Sequence, residues 1–441
     1  MRSVTRILFL LAVLPALASA QASEAGLPDP LSLEQALASI TETHPDLARQ
    51  KLNINRSETD LEYADSLKSF RVIAEARARW TERKDTQVFT GNDDHRLALT
   101  LSKPLYDGGK SSALAAAAQL EIQAASLQYA SARDQHVILV MQLFFEVILA
   151  DLQTGSDLEA MSVAYVRMDK ARDRHELGQL SDIDLLEYES IYQDARQKLY
   201  ASEGVSRSAR LSLALALDRP GQQPARLVPP KLEIGNAKLL PYEALMEKIL
   251  AANYALQSKI KLLEAARARI AAARSASKPS VSGEIQRAEF SRDTSLSNRL
   301  RIGVEVEWPL YDGGATDIAI KRAQMAVTKA ALDRRAMEND LRLQVRELTE
   351  RIRSLRAGSD AARAYADFRE LHLDRSRALY EMEVRTDLGD AMVEISRSQH
   401  RSAQQRFQLA LSLAQLNALA GEPVTDLQAL MLTKPANAGG Q

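Results

Sequence analysis

Six histidines are the residues with the widest chemical use in this 441-residue sequence, and they are scattered along the chain. A local catalytic or metal site needs ligands at close spacing, such as two histidines four positions apart on a helix. No two histidines have that spacing, the chain has no cysteine, and Gly108-Gly109-Lys110 lacks the upstream glycine of a phosphate loop. We therefore expect no enzyme, no metal site and no cofactor. The histidines are His44, His95, His136, His175, His372 and His400.

Acidic residues concentrate in two short breaks between long helix-forming segments, at residues 175–184 and 380–390. Asp182 and Asp184 lie in the first break, and Asp387 and Asp390 lie in the second. Acids at such positions act either as helix caps or as functional charges exposed at a helical turn. The sequence leaves both interpretations open for each of them.

The N-terminus has the pattern of an export signal. Arg2 and Arg6 precede an apolar run at 7–17, and Ala18-Ser19-Ala20 supplies small residues for cleavage. We expect cleavage after Ala20 and no lipid anchor, because no cysteine is present. Beyond this signal no run reaches 18 consecutive apolar residues, so a membrane role is expected to use β-strands.

Composition favours long helices. Lys and Arg total 57 against 58 Asp and Glu, a balance that gives no sign of nucleic-acid binding. Aromatic residues make up only 5%, and Ala and Leu carry most of the apolar content. Such a composition is typical of long helices packed closely side by side.

Two hairpins of amphipathic strands interrupt the helices, and the motif PLYDGG follows each, at 104–109 and 309–314. Apolar residues alternate with polar ones at 71–80 and 97–102 and again at 281–285 and 300–308, which indicates one apolar and one polar face. We expect Pro104 and Pro309 to end the strands, since proline donates no ladder hydrogen bond. Solvent-covered hairpins on a soluble protein are the alternative. Four strands cannot close a barrel, so strands in a membrane would require several copies of the chain.

Each motif also precedes a proline-free helical run of ~68 residues, which would form a rod about 100 Å long. Leu341, Val345, Leu348, Ile352 and Leu355 have the spacing of a coiled-coil seam. Gly178 is expected to stop the first rod, and Ser181 or Asp182 to cap the returning helix. The predicted boundaries are a signal peptide at 1–20, a first repeat at 21–237 and a second at 238–441, with strands at about 70–82, 95–104, 280–291 and 298–309, helix tips at about 178–184 and 383–390, and a tail at 421–441.

The LSLEQAL opening, the strand pairs ending in PLYDGG, the break HELGQLSDID and the endings LALALDRPG and LNALAGEP resemble the TolC-type outer-membrane efflux protein family over essentially the whole mature chain. The resemblance implies a mainly α fold with four transmembrane strands per chain. It also implies a homotrimer, in which a 12-stranded barrel in outer-membrane lipid continues into a helical tube in the periplasm of a Gram-negative bacterium. The family serves as the passive exit duct of tripartite efflux or type I secretion systems, with a periplasmic adaptor and an inner-membrane pump as partners and no role for nucleic acid.

The resemblance also assigns functions to the two helix tips, which in the family form the periplasmic entrance and contact the adaptor. A trimer would repeat each acid three times, and a ring of acids facing the lumen favours cations. The second tip departs from the family, with Glu383 where glycine is usual and Gly389 where an acid is common. The expected entrance or gate residues are Asp182, Asp184, Asp387, Asp390 and Arg385, and the expected adaptor contacts are Leu177, Gly178, Gln179, Met382, Glu383 and Val384.

Four aromatic residues near the strand ends, Trp80, Tyr106, Trp308 and Tyr311, are expected at the membrane interface. A periplasmic coiled-coil adaptor or structural protein without a barrel is the alternative function. Such a protein would lack a second rod and amphipathic hairpins bearing tryptophan, and this sequence has both.

Overall fold

A computed structural model describes residues 26–80, 95–232, 234, 239–291, 298–382, 388–427 and 429. The predicted signal peptide at 1–20 and the tip residues Glu383, Val384, Arg385 and Asp387 lie outside the described residues. The elements are α1 (Leu33–Ala38), α2 (Pro45–Ser66), β1 (Arg71–Arg77), β2 (Arg96–Tyr106), α3 (Lys110–Glu176), α4 (Asp182–Ala216), α5 (Tyr242–Ala252), α6 (Tyr254–Ser275), β3 (Ser280–Phe290), β4 (Leu300–Glu307), α7 (Ala315–Glu381) and α8 (Leu388–Leu419).

The same order of elements occurs twice: two helices, a hairpin, a long rod and a returning helix. The rods α3 and α7 have 67 residues each, which corresponds to about 100 Å. The mainly helical fold with a small sheet, predicted from the sequence, is confirmed.

The PLYDGG motif starts each rod by an aspartate cap. The Asp107 carboxylate accepts hydrogen bonds from the backbone N–H groups of Gly109 (3.0 Å) and Ser111 (2.8 Å). Asp312 accepts the equivalent bonds from Gly314 (3.0 Å) and Thr316 (2.8 Å). The N-cap residues Gly109 and Gly314 have positive φ angles of 91° and 85°, a backbone conformation that residues other than glycine rarely adopt. The motif therefore makes a short transition from the end of a strand to the start of a helix.

The helices form one layer. The rod α3 packs against α2 and α4 on one side and against α6 and α8 on the other, and α7 packs against α6 and α8. Shorter helices meet end to end within this layer. The Asn253 side chain donates to the Leu419 carbonyl, 3.0 Å away, and so joins the end of α8 to the start of α6. Thr43 donates to Asp218 at 3.0 Å between the start of α2 and the end of α4. The columns across the layer are thus α2 with α4, α3, α6 with α8, and α7.

The main core lies at the middle of the rods, where α1 and α5 cover the layer. Phe145 of α3 and Phe407 of α8 stack with ring centroids 4.4 Å apart, and Leu341 and Val345 of the predicted seam are fully buried. Within the described residues, α3 alone is long and apolar enough to cross a membrane. Because its largest apolar side chains fill this core, we interpret α3 as a helix of the packed helical layer and not as a membrane span.

The four strands form one antiparallel sheet in the order β1-β2-β3-β4, so β2 and β3 join the two hairpins. The prediction that Pro104 ends its strand is wrong. Pro104 pairs with Ser282, the register then shifts, and β2 continues to Tyr106. A register shift accommodates proline because an irregular position needs no ladder donor. In the second copy, β4 ends at Glu307, before Pro309.

Strand register places most of the apolar strand residues on one face of the sheet, which also carries Arg287 and Glu289. Val72 pairs with Leu101, Leu101 with Ile285, and Ile285 with Ile302, which gives an apolar row across all four strands. The opposite face is mixed and carries a polar cluster: Gln286 accepts from Arg96 at 2.9 Å and donates to Thr100 at 3.0 Å. Strands β1 and β4 form the two edges of this sheet.

Candidate channel entrance

The first helix tip is a short, well-capped turn. Gly178 has a φ of 70°, and the N–H groups of Gly178 and Gln179 donate to the His175 and Arg174 carbonyls, both at 2.8 Å. Ser181 caps α4 by accepting from the Asp184 N–H at 3.2 Å. The structure therefore has the helix stop at Gly178 and the helix cap at Ser181, two positions that the sequence indicated.

Both acids of the first tip are engaged locally. The Ser181 hydroxyl donates to the Asp184 carboxylate at 2.7 Å. Asp182 lies 2.6 Å from Nε2 of His175, and this contact closes the turn between α3 and α4. The Asp182 side chain is 89% exposed, so water screens this pair strongly. Neither acid contacts the second half of the chain among the described residues.

Asp390 of the second tip has a different environment. Its carboxylate forms an ion pair with the Arg167 guanidinium of α3 at 2.6 Å, across 223 positions of sequence. Next to this pair, a Cβ at Gly389 would lie 2.8 Å from Cγ2 of Val163 on α3. Only glycine allows this approach without movement, which gives a structural reason for glycine at this position.

More bonds hold the first half of α8 in place. Ser396 donates to Glu159 of α3 at 2.5 Å, and Glu394 pairs with Arg369 of α7 at 3.0 Å. We call the two α3 contacts, Arg167–Asp390 and Glu159–Ser396, the α3–α8 latch. Sequence reasoning missed Arg167 and Glu159, because nothing in their local pattern points to a partner more than two hundred positions away.

The described tip residues expected to contact an adaptor are exposed. Leu177 and Met382 are 71% and 62% exposed, and Gly178 and Gln179 are also exposed. Ile183, which the sequence analysis did not select, is 80% exposed beside them. The first tip thus carries two large apolar side chains in water, an arrangement typical of an interaction surface.

The four predicted interface aromatics lie at both ends of the sheet. Trp80 follows β1 at the hairpin end, whereas Tyr106, Trp308 and Tyr311 lie at the rod end. All four are at least half exposed. Nε1 of Trp308 donates to the Ser277 carbonyl at 3.2 Å, so this indole has an apolar face outward and its polar atom satisfied.

One pair of the scattered histidines meets in space. The rings of His44 and His136 have centroids 4.2 Å apart, and both side chains are buried. Burial and the neighbouring His44 lower the pKa of His136. Within the described residues, no group of three or more His, Asp or Glu side chains could hold a metal ion.

Comparison with known proteins agrees with this architecture. Residues 245–422 match the family model described as outer membrane efflux protein. The chain is also 26% identical to Protein CyaE of Bordetella pertussis over 323 residues, which are 70% of this chain and 63% of CyaE. The chain thus spans less than two thirds of the length of this relative.

Solved structures share the fold of this chain. The CmeC outer membrane channel of Campylobacter jejuni matches with a TM-score of 0.72 at 15% identity, over 88% of this chain and 85% of CmeC. The outer membrane protein VceC of Vibrio cholerae matches with a TM-score of 0.69 at 16% identity, over 89% of this chain and 96% of VceC. At these identities the comparison concerns the fold.

The resemblance to TolC-type outer-membrane efflux proteins, inferred from the PLYDGG repeats and the helix breaks, is confirmed by the family match and the shared fold. The family description also agrees with the predicted outer-membrane location of the chain and with a role in efflux rather than catalysis.

Proposed function

We propose that three copies of the chain form the outer-membrane exit duct of a tripartite efflux or type I secretion system. One observation carries this proposal: a four-stranded sheet with an apolar face and two edge strands continues directly into rods about 100 Å long. An open sheet cannot remain in lipid, because its edge N–H and C=O groups would lack partners. Pairing β4 of one copy with β1 of the next would remove every edge.

Three copies give a duct of useful width. Each chain contributes four helical columns, and neighbouring helix axes lie about 8–10 Å apart. Twelve columns make a ring about 35 Å across between axes, which leaves a lumen of about 25 Å after subtracting the helices. Two copies would leave only about 13 Å by the same arithmetic. The edge columns, α7 and the pair α2 with α4, would meet between neighbouring copies.

The helix tips would form the periplasmic entrance in this assembly. Leu177, Gly178 and Gln179 of the first tip and Met382, Glu383 and Val384 of the second would contact a periplasmic adaptor, which links the duct to an inner-membrane pump. Asp182, Asp184, Arg385, Asp387 and Asp390 would line or hold the gate. Because Asp390 is bonded to Arg167, the α3–α8 latch would hold the second tip against the first rod in the resting state.

The chain organisation fits this proposal. A signal peptide at 1–20 would export the protein, and repeats at 21–237 and 238–441 would each supply one hairpin and one rod. The duct itself would be passive, with transport driven by the pump. A periplasmic coiled-coil protein without a barrel remains the alternative, and it gives no use for a sheet whose apolar face is exposed.

The first experiment is extraction of the full chain from outer membranes, with its mass measured unheated and after crosslinking, and its conductance recorded in a planar bilayer. Asp184→Ala and Asp390→Ala would be recorded alongside the wild type. A trimer with a small cation-selective conductance is expected, and Asp390→Ala is expected to increase that conductance. A soluble monomer without channel activity would refute the duct and favour the coiled-coil alternative.

A further inference from the structure

A cavity of about 380 Å³ lies halfway along the helical layer, where α8 ends and α6 begins. The rods α3 and α7 form its sides. Asn253 holds the two helix ends at its floor: its amide donates to the Leu419 carbonyl at 3.0 Å, and its Oδ1 accepts from the Leu256 N–H at 2.9 Å. The cavity is therefore formed by a helix junction that specific hydrogen bonds hold in place.

The lining combines apolar walls with a small number of charges. Ile138, Met337 and Leu348 supply apolar surface, and the charged groups facing the cavity are Asp134 of α3 and Glu347 and Arg351 of α7. The helices α6 and α8 contribute amides and apolar groups but no charge to the lining. Two carboxylates and one guanidinium leave one excess negative charge. A mostly apolar pocket of this size with a few polar groups is typical of a small-molecule site.

Asp134 is the partly buried charged group of this cavity, whereas Glu347 and Arg351 are exposed. Within the part of the chain that the structure describes, the Asp134 carboxylate has no hydrogen bond or ion pair, and the same holds for the side chains of Glu347 and Arg351. Burial raises the pKa of Asp134 to about 6, against a smaller opposing effect of Arg133. At neutral pH the cavity thus holds an ionised carboxylate that a bound cation would stabilise.

Positions along α7 indicate which face of the layer the cavity opens on. The Arg346 guanidinium stacks over the Tyr242 ring of α5 at 4.1 Å, and Tyr242 donates to the Arg342 carbonyl at 3.4 Å. At 100° per residue, Gln344 and Arg351 lie on the opposite side of the Leu341–Val345–Ile352 seam. The cavity therefore opens on the face not covered by α5. A helix packed inside a duct would obstruct it, so this face is the lumen side of the proposed tube.

We propose that the junction cavity is a lumenal binding site for small organic cations with an apolar body, held by Asp134 and the apolar wall. This inference rests on the proposed duct, because the cavity would lie on the path of transported molecules only if it faces the lumen of the assembled tube. Three such sites would lie at one level of the lumen. They would retain amphipathic amines far above the entrance, which gives the duct a selectivity of its own.

The test uses the full-length protein, extracted as the oligomer, and ethidium as the cationic probe, with binding followed by fluorescence anisotropy. Asp134→Asn removes the charge with little change of shape. Asp169→Asn is the matched control, an exposed acid on the same rod about 50 Å away. Gln344→Trp fills the cavity from an exposed position. The anionic probe 1-anilinonaphthalene-8-sulfonate tests whether binding depends on charge.

Ethidium is expected to bind the wild type at pH 7.5 about tenfold more tightly than Asp134→Asn, the loss typical for a contact to a charged group. Lowering the pH to 5 should weaken wild-type binding similarly, whereas Asp169→Asn should behave as wild type and Gln344→Trp should not bind. Equal binding by wild type and Asp134→Asn, or equal binding of the anionic probe, would overturn the proposal. A conducting trimer that fails this test refutes the cation site alone, and a monomer without conductance refutes the duct.

Discussion

Arg167 and Asp390 join the first rod to the second helix tip, with 2.6 Å between guanidinium nitrogen and carboxylate oxygen. Both side chains are about half exposed, so the bond is worth at most about 1 kcal/mol. A contact of this modest size can be released by the binding free energy of a docking partner. The position of this ion pair, beside the tip and between repeats, suits a releasable latch.

Arg167→Ala is expected to increase the open fraction of the channel about two- to fivefold, since exposed ion pairs contribute about 0.5–1 kcal/mol. Single-channel recording at low and high salt checks this, and high salt should reduce the difference because it screens the wild-type pair. Arg172→Ala is the control, since Arg172 of α3 pairs with Glu189 of α4 at 3.7 Å and this pair does not involve the second tip. The double variant Arg167→Ala with Asp390→Ala should be no more open than either single variant, and additive effects would exclude the latch.

Gly389→Ala is expected to displace the second tip from α3. The new Cβ would lie 2.8 Å from Cγ2 of Val163, and overpacking of this kind costs about 1–3 kcal/mol. Conductance should rise, and adding Val163→Ala should restore the wild-type level by giving the methyl group room. Gly358→Ala is the matched control, because its Cβ would meet only the flexible Gln405 side chain. Failure of Val163→Ala to restore the closed level would mean that the contact does not hold the gate.

Local patterns predicted most of the architecture because its units are local. Period-two alternation located all four strands, and Gly178 and Ser181 were recognisable as a helix stop and cap. Contacts between the two repeats could not be predicted from the sequence. Pro104 was misjudged because β2 pairs with β3, a partner from the other half of the chain, and its continuation depends on that pairing. Arg167, Glu159 and the meeting of His44 with His136 have no sequence signature for the same reason.

Asp107→Ala is expected to destabilise the junction between sheet and rod by about 1 kcal/mol, the usual cost of losing a helix cap. Burial alone would raise the pKa of Asp107, but the hydrogen bonds from Ser111 and Gly109 outweigh it and lower the pKa. The charged cap is thus fully stabilising above the unfolded pKa of about 3.9, and its contribution is lost as the pH falls through the lower folded value. Thermal unfolding of the extracted oligomer at pH 7 and pH 3 checks this. Asp107→Asn, which keeps an acceptor without the charge, should show a smaller and less pH-dependent loss, and equal losses at both pH values in the alanine variant would contradict the account.

His136→Phe is expected to flatten the loss of stability in mild acid. Burial and the nearby His44 lower the pKa of His136, with smaller opposing effects of the backbone at Ala216 and of Asp46. The folded state therefore binds fewer protons than the unfolded state, and stability falls as the pH drops below the unfolded pKa of about 6.5.

The difference in melting temperature between wild type and the His136→Phe variant, followed from pH 8 to pH 5, isolates this contribution. Asp134 titrates in the same range with the opposite sign, but it is present in both proteins and cancels in the difference. The phenyl ring also changes the contact with the His44 ring, so the absolute stabilities of the two proteins are expected to differ, and only the change with pH is diagnostic. A difference that stays constant from pH 8 to pH 5 would exclude the buried histidine pair as an acid-sensitive point of the helical layer.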